Sequence, residues 1–159
     1  MAMSVAIDRP RGRFRSTKLN VVRPAPLSMR LLLIHPNADP SNITREIGLA
    51  PLRAWRCGET RFTPKGTPLE GVWRDTRWSH GFELDKNATI ETAMASALDK
   101  LAGKRRFLAS LRETGGTAEL VVSLPGDTHQ GASISVELLK ALADLGISLG
   151  IEVFPKTNG

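Results

Sequence analysis

Cysteine occurs once in the chain, at Cys57, and that scarcity removes two classes of protein. No internal disulfide can form and no multi-cysteine metal site can be assembled, so a reducing cytoplasm is the natural compartment. The only histidines, His35, His80 and His129, stand at no metal-ligand spacing with a second strong ligand, so neither a metal nor a cofactor is expected. No apolar run reaches the roughly 18 residues of a membrane span, and no leader-like apolar core follows the first residues. A membrane partner is therefore not expected. The glycine patterns of a P-loop, a dinucleotide fold or a serine-hydrolase elbow are missing too. No reaction is legible in what remains.

At 159 residues the length fits a single domain that buries roughly two thirds of its unfolded surface without covalent staples. The net charge of +6 is unevenly placed. Residues 1–28 hold six Lys/Arg against one acid, whereas residues 29–159 hold sixteen against fifteen. The first segment mixes arginine, proline and glycine with little apolar periodicity, which predicts a flexible basic arm ahead of one α+β domain at 29–159. Within the arm, Lys18 to Val22 could add an edge strand, ended by Pro24 and Pro26. Nucleic acid is expected to bind through residues 1–28 or not at all. Met29 stands directly before the first strand, where a shorter chain could also begin.

The domain is organised around Met29 to Leu49, MRLLLIHPNADPSNITREIGL. Leu31 to Ile34 is an unbroken apolar run, the pattern of a strand covered on both faces and therefore near the middle of a sheet. Asp39 and Pro40 start a helix, because an aspartate accepts from first-turn amides and proline loses nothing at the first helical position. Ile43 and Ile47 share a face, Gly48 fits the left-handed stop, and Pro51 bars continuation.

From Pro51 to Arg77 the pattern breaks down, with Leu52–Arg56 and Val72–Arg74 as short strands that could pair. Trp78 to Leu84 then alternates as a half-buried strand. Thr89 caps a helical stripe of Ile90, Met94, Leu98, Leu101, Leu108 and Leu111, read as one bent helix or two abutting ones around Gly103. Thr117 to Leu124 is another one-faced strand, turned by Pro125-Gly126-Asp127. Ser135 caps a last helix with Leu138, Leu139, Leu142 and Leu145 facing inward, and Ile147, Leu149, Ile151 and Val153 form the last strand. The expected order is β-α-β-β-α-β-β-α-β: a mixed or antiparallel sheet with helices mainly on one face.

Four landmarks together resemble the bacterial domain-of-unknown-function family DUF4279: DPSNITREIGL at 39–49, WRCGE at 55–59, Trp78-Ser79, and GASISVELLKALADLGISLGIEVF at 131–154. The resemblance spans about residues 29–154. It implies an α+β fold, supplies no catalytic residues, and finds Gly150 and Phe154 where the family tends to have an acidic residue and a tyrosine.

Candidate sites follow from chemistry alone. His35 lies four residues before Asp39, which could orient a general base. Cys57 sits between Arg56 and Gly58, where neighbouring positive charge favours a thiolate. Either would serve a small enzyme; a satisfied junction histidine and an inert loop cysteine are the plainer readings. Lys104-Arg105-Arg106 reads as a solvated helix face rather than an anion site. The irregular segment carries more. Aromatic residues are only 5% of the chain, yet all three tryptophans fall within 24 positions, interleaved with arginines. Arginine holds carboxylate or phosphate, and tryptophan offers apolar area and a cation–π face. Arg53, Trp55, Arg56, Trp73 and Trp78 are therefore expected to line a recognition surface for a protein partner or a small anionic ligand, the alternative being tryptophans that roof the sheet. The function expected is an immunity-like or regulatory binding module rather than an enzyme.

Overall fold

The structure is a computed structural model and describes residues 27–126 and 131–154. Its strands are β1 (Ser28–His35), β2 (Arg53–Trp55), β3 (Thr60–Phe62), β4 (Pro68–Val72), β5 (Thr76–Phe82), β6 (Thr117–Pro125) and β7 (Ser148–Phe154). The helices are α1 (Pro40–Ile47), α2 (Ile90–Leu101), α3 (Arg105–Glu113) and α4 (Val136–Leu145). Five strands form one mixed sheet in the order β2-β5-β1-β6-β7, and β3 pairs with β4 in a separate ribbon. The fold is α+β, with the apolar run of the first strand at its centre. The arm, its expected strand at Lys18–Val22, Asp127 and His129 lie outside the described residues.

β1 is antiparallel to both neighbours, so each of its inward residues meets two partners. Met29 lies opposite Phe82 and Val122, Leu31 opposite His80 and Leu120, and Leu33 opposite Trp78 and Ala118. Buried residues of all four helices, among them Ile43, Ile47, Met94, Leu101, Leu108 and Leu142, join these side chains in one cluster. The helices thus cover one face. The crossover to α4 and back makes β6 and β7 parallel, the only parallel pairing among the described residues.

Local signals set the ends of the elements. Asp39 Oδ1 accepts from the Ser41 amide at 2.8 Å and caps α1, and Gly48 closes that helix at φ 74°. Thr89 and Thr92 cap α2 reciprocally. The long helical stripe divides: a 3₁₀ turn at Ala102–Lys104 separates α2 from α3. Lys104 is not a free cation of a helix face, since its ammonium donates to the Glu46 carbonyl at 2.9 Å, at the negative end of α1.

Four expectations need correcting. Leu52–Arg56 and Val72–Arg74 do not pair with each other: Arg53–Trp55 extends the main sheet alongside β5, and the stretch read as irregular holds the β3–β4 ribbon. Thr63-Pro64-Lys65-Gly66 turns that ribbon, and the Gly66 amide donates to the Thr63 carbonyl at 2.9 Å. In α4, Leu142 and Leu145 are buried but Leu139 is exposed, because ten residues present only a narrow stripe to the core. Ile151 and Val153 are exposed as well, 60% and 58%, on the outermost strand where helix cover runs out. The first strand is not covered on both faces: the helices lie on one, so Leu31 and Leu33 are buried while Leu32 and Ile34 are only half-buried.

Ile43 and Ile47 are buried to 1% each, so truncating either to alanine is expected to cost about 2–5 kcal/mol in chemical denaturation. Gly48→Val should also destabilise, because a β-branched side chain resists positive φ. Unchanged midpoints for all three would show that α1 is not part of the core.

Candidate functional site

Period-two geometry separates the residues expected to act together. Across the β2–β5 pair, Ala54 lies opposite Trp78, whereas Arg53 lies opposite Ser79 and Trp55 opposite Arg77. Trp78 therefore shares the helix-covered face with Leu33, and Arg53 and Trp55 occupy the other. Trp78 is fully buried, and its indole N–H donates to Thr44 Oγ1 at 2.9 Å. This corrects the expectation for Trp78, which belongs to the core and lines no recognition surface.

Trp73 does join Trp55. The turn Arg56-Cys57-Gly58-Glu59 has Gly58 at φ 84°, its Glu59 amide donates to the Arg56 carbonyl, and Glu59 Oε2 accepts from the Arg56 amide. Only a residue that tolerates positive φ suits the third position of such a turn. The outgoing chain then pairs with Trp73: the Gly58 amide donates to the Trp73 carbonyl at 2.8 Å and the Trp73 amide to the Glu59 carbonyl at 2.9 Å. That pairing sets the Trp73 ring on Trp55, with centroids 4.3 Å apart and planes 19° from parallel.

The stacked pair forms the wall of two adjoining hollows of about 600 and 580 Å³. Ala54, Trp55, Phe62 and Trp73 line both, and Arg53 with Leu52 lines the second. A third, smaller hollow of about 280 Å³ lies on the far side of Trp73 and is lined by Arg61, Arg74, Asp75 and Arg77. Arg61 lies over the Trp73 ring, 5.3 Å from its centroid. Arg77 holds Asp75 at 3.1 Å. The Trp55 indole N–H is covered by neighbouring atoms yet meets no acceptor, the one such buried side-chain atom among the described residues.

Arg56 is drawn away from this group: its guanidinium lies 3.5 Å from Asp39 Oδ2. The Asp39 carboxyl is held below the ordinary range first by the Ser41 amide and then by the Arg56 charge. Of the five residues read from the sequence, Arg53, Trp55 and Trp73 come together, Arg56 is diverted and Trp78 is interior. Phe62 and Arg61 were not among them. Arg61 is one of the arginines interleaved with the tryptophans in the irregular segment, whereas Phe62 has no signal until the ribbon is folded.

The two catalytic alternatives have other employment. His35 is buried; its Nδ1 accepts from the Asn37 and Ala38 amides at 3.1 and 2.8 Å, which places the ring proton on Nε2, 2.9 Å from Thr114 Oγ1. Asp39 caps α1 and does not reach the imidazole. The Cys57 thiol donates to the Arg74 carbonyl at 3.3 Å, and its amide donates to Thr76 Oγ1 at 3.1 Å. No group of three or more metal-ligating side chains gathers among the described residues. No helix there is long and apolar enough to cross a membrane.

A group whose folded pKa is depressed adds stability above its unfolded value and loses it as pH falls through the folded one. Asp39 is such a group, so below about pH 4 its contribution should fade. Asp39→Asn keeps a capping side chain without the titration. Melting temperature against pH should accordingly be flatter on the acid side for that variant; superimposable profiles would remove Asp39 from the acid response.

The family model described as "Domain of unknown function (DUF4279)" matches residues 25–154. Neither a curated protein nor a solved structure matches the chain. With its β1–α1 junction, its W-R-C-G-E turn and its terminal β-α-β crossover inside the matched span, the chain belongs to the DUF4279 family.

Proposed function

We propose that this protein is a non-enzymatic binding module of the bacterial cytoplasm, immunity-like or regulatory in role, that recognises a partner protein or a small anionic ligand through the open groove at Trp55 and Trp73. One observation carries the reading: a stacked tryptophan pair walls an open groove while the N–H of one ring is covered and unpaired. A buried donor left without an acceptor costs about 1–3 kcal/mol, and such groups are few in folded proteins. A ligand that covers the exposed faces of the two rings would add apolar burial that offsets that cost. Exposed aromatic clusters flanked by arginine have the composition of interface hot spots. The engagement of His35 and Cys57 in backbone hydrogen bonds supports a module over an enzyme.

The basic arm supports a second, separable activity, because five of the six net charges sit in residues 1–28. Binding of nucleic acid there would weaken steeply with salt as counterions are released.

Affinity capture with the full chain as bait, repeated with an Arg53→Ala, Trp73→Ala double variant, tests the groove. The partner is expected on the native bait and absent from the variant, whose melting temperature should fall by no more than a few degrees. Arg56→Ala should retain the partner, since that side chain serves Asp39. Binding lost in step with stability would show the tryptophans to be structural and leave the groove without a role.

A further inference from the structure

The groove and the hollow behind it differ in chemistry, and Trp73 is the partition between them. On one side Trp55, Phe62 and Trp73 present aromatic walls, with Arg53 at the edge. On the other, Arg61, Arg74 and Arg77 surround a single acid, Asp75, which Arg77 already holds. Neither Arg61 nor Arg74 has a carboxylate within ion-pair distance among the described residues. The surplus is regional: residues 53–77 carry six Lys/Arg against three acids, whereas residues 29–159 as a whole stand at sixteen against fifteen.

Deepening the proposed function, and resting on it, we infer that the partner is an acidic, extended segment of another protein, which seats an apolar side chain between Trp55 and Phe62 and sets a carboxylate on Arg61 and Arg74. Each part of the site selects one part of that segment. An aromatic-walled groove favours a leucine- or phenylalanine-sized anchor, which stacks or packs on the exposed ring faces. The Arg61 guanidinium lies over Trp73, leaving its N–H edge to take a carboxylate in two parallel hydrogen bonds. An extended rather than helical segment suits the place, because β2 is an outermost strand of the sheet and no described strand lies beyond it. A phosphate backbone fits less well. It carries regularly spaced charge and needs a stripe of cations, whereas here two unmatched arginines adjoin an apolar groove.

Random peptides displayed on phage and selected on the full chain provide the test. Enriched peptides should be net negative, with an aspartate or glutamate one to three positions from a large apolar residue. Arg61→Ala and Arg74→Ala are exposed changes that leave the core untouched. Each should weaken the best synthetic peptide about tenfold in a fluorescence titration, and rising salt should weaken it further. Trp73→Ala should abolish binding. Peptides that are neutral or basic yet lost on Trp73→Ala would overturn the acidic partner while keeping the groove. Peptides indifferent to both sets of variants, no enrichment, or tighter binding of a short single-stranded oligonucleotide at the same arginines would overturn it as well.

Discussion

The hydroxyl of Thr76 ties the fold to the site. Thr76 is fully buried at the start of β5, directly opposite His35 on β1. It donates to the Ala38 carbonyl at 2.7 Å and accepts from the Cys57 amide at 3.1 Å. One side chain thus joins the β1–α1 junction to the turn that precedes the ribbon. His35 secures the same junction from the other side through the Asn37 and Ala38 amides. Because buried polar groups left unpaired cost about 1–3 kcal/mol each, these bonds act mainly by excluding every other arrangement of the two loops. Once the turn is fixed, its pairing with Trp73 follows, and with that the stack on Trp55. The groove is a distant consequence of a threonine in the core.

Energetics of the stack argue against a purely structural role. An aromatic pair gains about 0.5–1.5 kcal/mol beyond its area burial. The covered indole N–H of Trp55 costs about as much or more, so area removed from water must make up the difference, and Trp55 and Trp73 are only half-buried. Trp78 shows the alternative solution in the same chain. It is wholly buried, and its N–H reaches the Thr44 hydroxyl, which in turn donates to the Pro40 carbonyl at 3.0 Å. A protein that satisfies one indole so completely and leaves another unpaired beside an open groove has departed locally from the rule it follows elsewhere. Departures of that kind are concentrated at functional sites.

What could be read in advance follows from which interactions are local. Asp39, Gly48, Ser135 and Gly146 act within a few residues of themselves, so α1 and α4 and their ends are legible without the fold. The apolar run at Leu31–Ile34 likewise announces a central strand. Face assignment in the site was not legible, because it depends on β2 pairing with β5 across more than twenty residues. A register that places Ala54 against Trp78 sends Trp55 to the opposite side from Trp78, and no local feature of either segment encodes that choice. The diversion of Arg56 to Asp39 depends on a tertiary contact too, as does the engagement of Lys104 with the Glu46 carbonyl. Charge clusters in sequence are thereby dispersed to separate tasks.

Apolar exposure alone would point to a different place on the molecule. Ile151, Val153 and Phe154 leave the far edge of the sheet more openly apolar than the groove, since Trp55 and Trp73 are partly covered. Among its described residues, however, that edge strand carries one charge, Glu152, which Arg30 holds at 2.7 Å. It presents adhesive surface with little to discriminate one partner from another. The groove and the hollow behind it combine apolar walls with two cations that have no carboxylate beside them among the described residues, so a partner of the proposed kind that lacked an acid there would leave charge uncompensated. Specificity rests on such penalties more than on area. On the proposed reading few aromatic residues suffice: two tryptophans and a phenylalanine, held by one turn and one ribbon, would define where the proposed partner places an apolar side chain relative to its charge.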